Sequence, residues 1–450
     1  MKKTTRTALV AALLITAAAA AAALRGTATD APADDDRKYL TDSRPLPQMP
    51  PMHNAPNTPL GEGKGIFPGR VAWAHAPGAS NWDGETGFWF EDRWNDQGKS
   101  DRLIDTAITA LTGTDTPAEA WKALFTHFNA TRGRGERGYR RGEKIAIKLN
   151  MNNTSTHADS EELNTSPQTC LALLRSLVNQ GGVAQQDIVV CEPSRLITDY
   201  LYDKCSAEFP DITYADFEGG EGRTRVEYYD NAIPYSVDNG KLATGLATCI
   251  VDADYLINSS LLKIHVGPGV TLTAKNWYGA TSIHKDWRRN SHAGFNQNRQ
   301  GVKAYRTFVD FIGHKDLGQK CMLYLIDAAY GSRDVNGKPY PKWEMAPFNG
   351  AWACSVLVSQ DPLAVDAVGL DLLSSEWPEV ESLPYCDEYL VEAASIPHAP
   401  SGTVYDPERD GKPLEAPLGV MEHWNNRRDK LYSRNMGLDK GIELIYKRVE

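Results

Sequence analysis

The seven cysteines of this 450-residue chain include no Cys-x-x-Cys pair. Zinc ribbons, ferredoxin-type iron–sulfur motifs and thioredoxin chemistry therefore lack support. Positive charge is also in deficit, with 48 Lys and Arg against 58 Asp and Glu, a formal net charge of −10. A general nucleic-acid binder needs a basic face to displace counterions, so that class is excluded. Beyond residues 8–24 no run is long and apolar enough for a membrane span. Neither Gly-x-Ser-x-Gly nor His-Glu-x-x-His occurs, which leaves serine-hydrolase and zincin motifs unsupported. What remains is 41% hydrophobic and 24% charged, the composition of ordinary globular protein.

The N-terminus carries an address. Lys2, Lys3 and Arg6 precede a small, apolar stretch from Ala8 to Leu24, and Ala21, Ala22 and Ala23 offer small residues for cleavage. Residues 1–25 read as an export signal, which directs the chain to a periplasmic or extracellular location. The stretch is long and mostly alanine, so two outcomes stay open: cleavage, or retention as a signal anchor. No other membrane association is expected. No Arg-Arg pair precedes the stretch and no lipobox-like cysteine follows it. Removing residues 1–25 deletes Lys2, Lys3, Arg6 and Arg25 but no acid, which takes the charge from −10 to −14. An exported chain allows one or two disulfides, yet the odd count leaves at least one thiol free. Most of the cysteines sit in apolar stretches and read as small core residues.

Residues 26–62 hold seven prolines and an Asp34–Asp36 run and read as an extended linker. The ordered body is expected from residue 63, with 63–143 as its N-terminal part, 144–395 as its core and 396–450 as a polar tail wrapped around it. Val71, Trp73 and His75 alternate with small residues, a strand signal. Residues 105–111 and 117–128 look helical. Ile145, Ile147 and Leu149 point to one side of a strand, with Ala146, Lys148 and Asn150 on the other. Ser166 is a good N-cap, Pro167 suits the first helical turn and Gly181 lies past the end. Ile188–Cys191 is a short apolar strand, so this stretch reads strand, helix, strand: a βαβ unit. Further strands are expected at 255–258, 322–326 and 355–358, and a capped helix from Pro362 to about Leu373. The fold class is α/β, a mixed, largely parallel sheet flanked by helices, with the N-terminal segment and the C-terminal tail packed on it.

Ligands of open α/β sheets gather at the carboxyl ends of strands, and several such ends carry polar residues. Lys148 and Asn150 share the polar face of their strand; a solvated face and strand-end turn chemistry are the alternatives. Lys263 and His265, two apart, project the same way from an extended chain. Gly267 and Gly269 permit close backbone approach, and a helix starting near Val270 would turn free N–H groups toward the loop. With Thr271, Lys275 and Asn276 they form a candidate anion cradle; a Gly-Pro-Gly turn with solvated lysines is the alternative. Asp327 ends another strand. Asp361 suits the N-cap of the helix that Pro362 opens. Asp366 shares an apolar helix face with Leu363, Gly369 and Leu370, so it needs a partner, and Lys263, Lys275 or His265 is the expected one. His265, His284 and His292 lack the i, i+4 spacing of helical zinc sites, so no metal is assigned. Trp82, Trp89 and Trp94 read as core residues before a carbohydrate floor.

These stretches resemble the bacterial and archaeal family known as domain of unknown function 362. The family's Lys-x-Asn strand end is matched by Lys148 and Asn150. Its Asp-x-x-x-Asn strand leading to Lys-x-His is matched by Asp254, Asn258, Lys263 and His265. Gly269, Thr271, Lys275 and Asn276 match a Gly-x-Thr-x-x-x-Lys-Asn segment, and Asp361, Pro362, Ala364 and Asp366 an Asp-Pro-x-Ala-x-Asp segment. Order and spacing agree across roughly 144–375. The flanks, Pro68–Trp73, Glu422–Asn426 and Tyr432–Asn435, look like an exported subgroup. Some members add ferredoxin-type cysteines, absent here. The resemblance implies a fold and a clustering of residues, and no reaction.

The functional expectation is a protein for a small anionic molecule. Lys148, Asn150, Gly267, Gly269, Thr271, Lys275, Asn276 and Asp361 would bind it. Lys263 or His265 would move a proton and Asp366 would orient or tune it, as in an isomerase, racemase or lyase. A non-catalytic anion or glycan binder and a metal- or cofactor-dependent redox accessory stay open. The sequence specifies neither a cofactor nor an oligomeric state.

Overall fold

The computed structural model describes residues 39–46, 48, 51–152, 155–237, 243–282, 304–334 and 336–450; residues 1–25, read from the sequence as an export signal, lie outside them. A ten-stranded sheet organises the chain. In sequence order its strands are β1 (Arg70–His75), β2 (Ile145–Lys148), β3 (Ile188–Glu192), β4 (Thr213–Asp216), β5 (Thr224–Arg225), β6 (Tyr255–His265), β7 (Gly269–Thr271), β8 (Cys321–Ser332), β9 (Ser355–Ser359) and β10 (Glu443–Arg448). Their spatial order is β10-β1-β9-β8-β6-β2-β3-β4-β5, with β7 hairpinned back on β6. From β8 to β5 every pairing is parallel, whereas β9 runs antiparallel to both β8 and β1. The fold is a mixed, largely parallel α/β sheet.

Period-two alternation feeds two cores, one on each face. Val71 and Trp73 enter one and Ala72 and Ala74 the other; Ala146 enters the first, Ile145 and Ile147 the second. Helices α1 (Gln97–Thr112), α2 (Pro117–Thr131) and α3 (Pro167–Arg175) cover the second face, as does α4 (Asp199–Glu208). The cap read at Ser166 is present, and α2 has one that the sequence reading did not name. Thr116 and Glu119 form a capping box on α2, and the Ser166 hydroxyl accepts from Thr169 N–H ahead of Pro167. A short helix α5 (Thr273–Asn276) and the long α6 (Pro362–Glu376) cover the first face. Residues 362–375 of α6 are buried all round, as an apolar sequence without a polar stripe requires.

Several boundaries differ from the sequence reading. Strands β6 and β8 run on to His265 and Ser332, because polar residues such as Lys263 are paired inside the sheet. No helix starts at Val270; residues 269–271 form β7, and α5 begins only at Thr273. The tail does more than wrap, since β10 lies parallel beside β1 at the sheet's edge. The described part of 26–62 is not a free linker. Leu40 and Asp42 are buried, Leu60–Gly61 pairs with Val420–Met421, and the Asp387 carboxylate accepts the N–H groups of His53 and Asn54.

Candidate functional site

The chain leaves β2 toward β3, β4 and β5 on one side, then returns as β6 on the other side of β2. Helix α3, after β2, lies on one face of the sheet and α5, after β6, on the other. The carboxyl ends of β2 and β6 thus flank a topological switch point, where crossovers diverge and leave a crevice. A cleft of about 280 Å³ opens there. Its lining includes Lys148, Asn150, Glu192, Arg195, His265, Thr271, Lys275, Asn276 and Gly279.

Lys148 is the centre of the site. It is 1% exposed, which rules out the solvated face. Its Nζ donates to Leu149 O at 2.6 Å, Glu192 Oε2 at 3.0 Å and Asn276 Oδ1 at 3.1 Å. Glu192 ends β3, the strand beside β2. Its carboxylate also accepts Met151 N–H at 3.0 Å and, through Oε1, the N–H and hydroxyl of Ser194 at 3.2 and 3.1 Å. Asn276 closes the network: its Nδ2 donates to Asn258 Oδ1 at 2.8 Å, and its Oδ1 also accepts Asn150 Nδ2 at 3.2 Å. A Cβ on Gly279 would stand 2.7 Å from Lys148 Nζ and 2.9 Å from Glu192 Oε1. Glycine lets the backbone press against the pair without displacing either side chain.

Around this base the cleft is electropositive. Among the described residues Lys148, Arg195 and Lys275 line it against one carboxylate, Glu192. Lys275 Nζ lies 4.7 Å from the centre of the Tyr278 ring. The buried Thr271 Oγ1 has no hydrogen-bond partner among the described residues. Lys263 is fully buried and is not part of the lining. Burial, with the charge of Lys275 adding to it, pushes its ammonium down to about 7. His265 Nδ1 accepts Gly267 N–H at 3.0 Å, so in this arrangement its proton sits on Nε2.

The candidate residues therefore divide. Lys148, Asn150, His265, Thr271, Lys275 and Asn276 meet in the cleft. Gly267 and Gly269 do not: they belong to the hairpin between β6 and β7, where Gly269 takes φ +89°. With no helix at Val270, the expected cradle of free amides is absent from this loop.

Asp366 does not pair with a cation among the described residues. It accepts Thr273 N–H at 2.8 Å, Thr273 Oγ1 at 2.7 Å, Ala274 N–H at 3.0 Å and the Tyr389 hydroxyl at 2.9 Å. The carboxylate fixes the start of α5, so four neutral donors do the work expected of a lysine. Burial still raises its pKa to about 6. Asp361 caps α6 through Leu363 and Ala364 N–H, and its other oxygen accepts Lys64 and Val420 N–H. It follows antiparallel β9, which carries it to the opposite edge of the sheet from the cleft. Asp327 accepts Ser166 N–H and Thr169 Oγ1, tying β8 to the start of α3. Trp82 and Trp89 are buried in the core.

The sequence reading missed Glu192, Arg195 and Gly279. Glu192 carried a usable signal, a carboxylate directly after the apolar run 188–191. His284 and His292 lie outside the described residues. Among the described residues no group of three or more His, Cys, Asp or Glu is placed to hold a metal, and no helix is long and apolar enough to cross a membrane.

Residues 145–371, just over half of the chain, match the family described as domain of unknown function (DUF362). The chain belongs to that family. The match begins at the first residue of β2 and takes in the whole Lys148–Glu192–Asn276 network. The DUF362 description names no activity. No curated protein matches the chain.

Proposed function

We propose that this DUF362 protein is exported and that its cleft binds a small molecule bearing a carboxylate or phosphate. The observation that carries the reading is the cleft itself: among the described residues three cationic side chains, the buried Lys148 among them, and one carboxylate line it at the sheet's switch point. An excess of positive charge in a concave, partly desolvated site attracts and holds an anion. The unpartnered Thr271 hydroxyl supplies a further donor. Export rests on the basic and apolar N-terminal pattern.

Proton transfer on the bound anion is the finer reading. It is supported by Lys263, whose amine stands near neutrality behind the cleft, the range in which a group exchanges protons at working pH. A binder without turnover is supported by a different observation. The Nδ1 lone pair of His265 is taken by Gly267 N–H and the Glu192 oxygens are occupied by four donors. Both side chains are thus engaged in holding the site.

Native mass spectrometry of the purified protein, followed by thermal shift with a panel of carboxylates and phosphates, tests the proposal. A stoichiometric anion, lost in Lys275→Ala, is expected. Absence of any retained anion together with no shift across the panel would overturn it. Incubation of the identified compound with protein then separates catalyst from binder. N-terminal sequencing of secreted or periplasmic material tests export independently.

A further inference from the structure

A second cavity, of about 220 Å³, opens at the other edge of the sheet. Its walls come from the loop before β1, the last turn of α2, the start of β8, the junction of β9 with α6, and Leu418. Cys321, in this lining, pairs with Leu256 of β6, and β6 runs nine residues on from there to His265 in the cleft. At about 3.3 Å per residue the two sites stand roughly 30 Å apart. One wall is polar and cationic. Lys64, His127, Arg132 and Gln360 line it, and among the described residues no carboxylate does. Neither Lys64 nor Arg132 has an ion-pair partner among the described residues. The Arg132 guanidinium sits 4.1 Å from the centre of the Phe128 ring, with Nη1 donating to Thr131 Oγ1 at 3.2 Å. That leaves its Nε and Nη2 for another acceptor. Gln360 Oε1 accepts Ile66 N–H at 2.9 Å, so its amide donors are left too. Burial, with the charge of Arg132 adding to it, keeps the His127 imidazole below its ordinary pKa, so at neutral pH it offers one ring N–H. The other wall is apolar: Phe128, Met322, Tyr324 and Leu418 are all buried. The Tyr324 hydroxyl is engaged with Gly318 O at 2.9 Å, so this residue presents its ring.

We propose that this cavity is a second ligand site, for a small monocarboxylate with an aliphatic or aromatic body. The carboxylate takes the free N–H groups of Arg132 and the charge of Lys64, and the body lies on the apolar wall. A guanidinium fork and a carboxylate match in geometry, and the apolar wall gains by being covered. Negative groups nearby favour one charge over two. Asp361, next to Pro362 of the lining, is a carboxylate, although four backbone N–H groups already share it. The carbonyl end of α2 adds a partial negative charge. The volume lies below the roughly 300–1,000 Å³ of pockets for drug-sized ligands, which sets a small occupant. Lys64, His127 and Arg132 lie outside residues 145–371, so the cationic wall belongs to this chain's flanks. The site does not depend on the anion reading of the cleft.

Titration calorimetry of the full chain carrying Lys275→Ala, which weakens the cleft, isolates this site. The probes are phenylacetate and hexanoate, with hexanol and inorganic phosphate as ligands that each keep only one half of the chemistry. One equivalent of either carboxylate should bind, and hexanol and phosphate should bind at least about tenfold more weakly. Adding Arg132→Ala or Lys64→Ala should each weaken carboxylate binding by about tenfold or more, the scale of a hydrogen bond to a charged group. Arg132 is exposed and Lys64 half-buried, so neither change should unfold the chain, and urea unfolding checks this. Absence of carboxylate binding at millimolar concentration would overturn the proposal. So would affinity unchanged by both added substitutions, or phosphate binding as tightly as phenylacetate, which would leave the apolar wall without a role.

Discussion

Lys148 Nζ and Glu192 Oε2 lie 3.0 Å apart, with the two side chains 2% and 3% exposed. Each sits at the end of its own strand, so the parallel pairing of β2 with β3 brings the charges together. Removing one member of a buried, hydrogen-bonded pair strands the other charge and typically costs about 3–5 kcal/mol. Lys148→Met and Glu192→Gln should each lose stability on that scale in urea unfolding. The double variant should recover at least about 1 kcal/mol of the summed loss, because neither charge is then left alone. Strict additivity of the two losses would mean that the pair is not coupled.

Lys275 is a different kind of residue. It lines the cleft half-exposed and contacts the face of Tyr278, so its removal strands no buried charge. Lys275→Ala should stay within about 1 kcal/mol of the parent in stability, as exposed changes usually do. It should weaken anion binding about tenfold or more, the scale of one charge-assisted hydrogen bond. Titration calorimetry beside urea unfolding checks both halves. Unchanged affinity would remove Lys275 from the site.

Asp366→Ala should damage folding through unpaired donors. Two amides and a hydroxyl at the start of α5, and the Tyr389 hydroxyl, would lose their acceptor inside the core. Each stranded group costs about 1–3 kcal/mol, so a total loss of at least about 3 kcal/mol is expected from chemical denaturation. The carboxyl's pKa is raised by burial to about 6, above its ordinary value near 3.9. The native state therefore binds more protons than the unfolded state between about pH 4 and 6, and this group's contribution falls as pH rises through that window. The penalty of Asp366→Ala should accordingly be larger at pH 4 than at pH 7. A penalty that grows with pH over the same range would contradict the assignment.

The sheet was legible because local signals agreed with the global fold. Apolar alternation in 145–149, the Ser166 and Pro167 cap and the apolar run at 188–191 all specify the same βαβ unit. The clustering of Lys148, Asn150, Lys275 and Asn276 was legible from the strand-end rule and the family resemblance. Partner choice was not. A buried aspartate on an apolar helix face demands donors, but nothing in the pattern separates a lysine from the Thr273 and Ala274 amides and the Tyr389 hydroxyl. Asp361 misled for a topological reason. The antiparallel β9 delivers its end to the wrong edge, and strand direction is not written in a short apolar run. Glu192 was overlooked because one carboxylate after a strand also serves as a plain turn residue.

Gly279→Ala tests the tight approach over the pair. The added Cβ would fall inside normal contact distance of both Lys148 Nζ and Glu192 Oε1. Both atoms end flexible side chains, so they can shift, but they are buried and hydrogen-bonded and will do so at the expense of their geometry. The expected outcome is a modest stability loss of about 1–3 kcal/mol and a larger proportional loss of anion binding. Parent-like affinity in Gly279→Ala would show that the Lys148 geometry does not govern the ligand.

The C-terminal Glu422–Asn426 segment, outside the cleft, should show its own pH signature. His423 is buried, with Nδ1 2.6 Å from Asp371 Oδ1 and Nε2 3.4 Å from Asp387 Oδ2. Burial pulls its pKa down, but the charge of Asp371 and the hydrogen bonds to both carboxylates outweigh it, leaving the imidazolium at about 10. The imidazolium clamps the tail to α6, and Asp387 also holds the backbone of His53 and Asn54. Raised above its ordinary value near 6.5, the group contributes stability that is fully present below about pH 6.5 and is lost as pH rises toward about 10. His423→Gln removes that contribution and leaves two buried carboxylates without their cation. The stability gap between parent and variant, from urea unfolding at a series of pH values, should be widest near pH 6 and shrink steadily toward pH 10. A gap that is flat across this range would mean that His423 is neutral in the folded protein and that the clamp is held by Trp424 N–H and the Tyr432 hydroxyl on Asp371 alone.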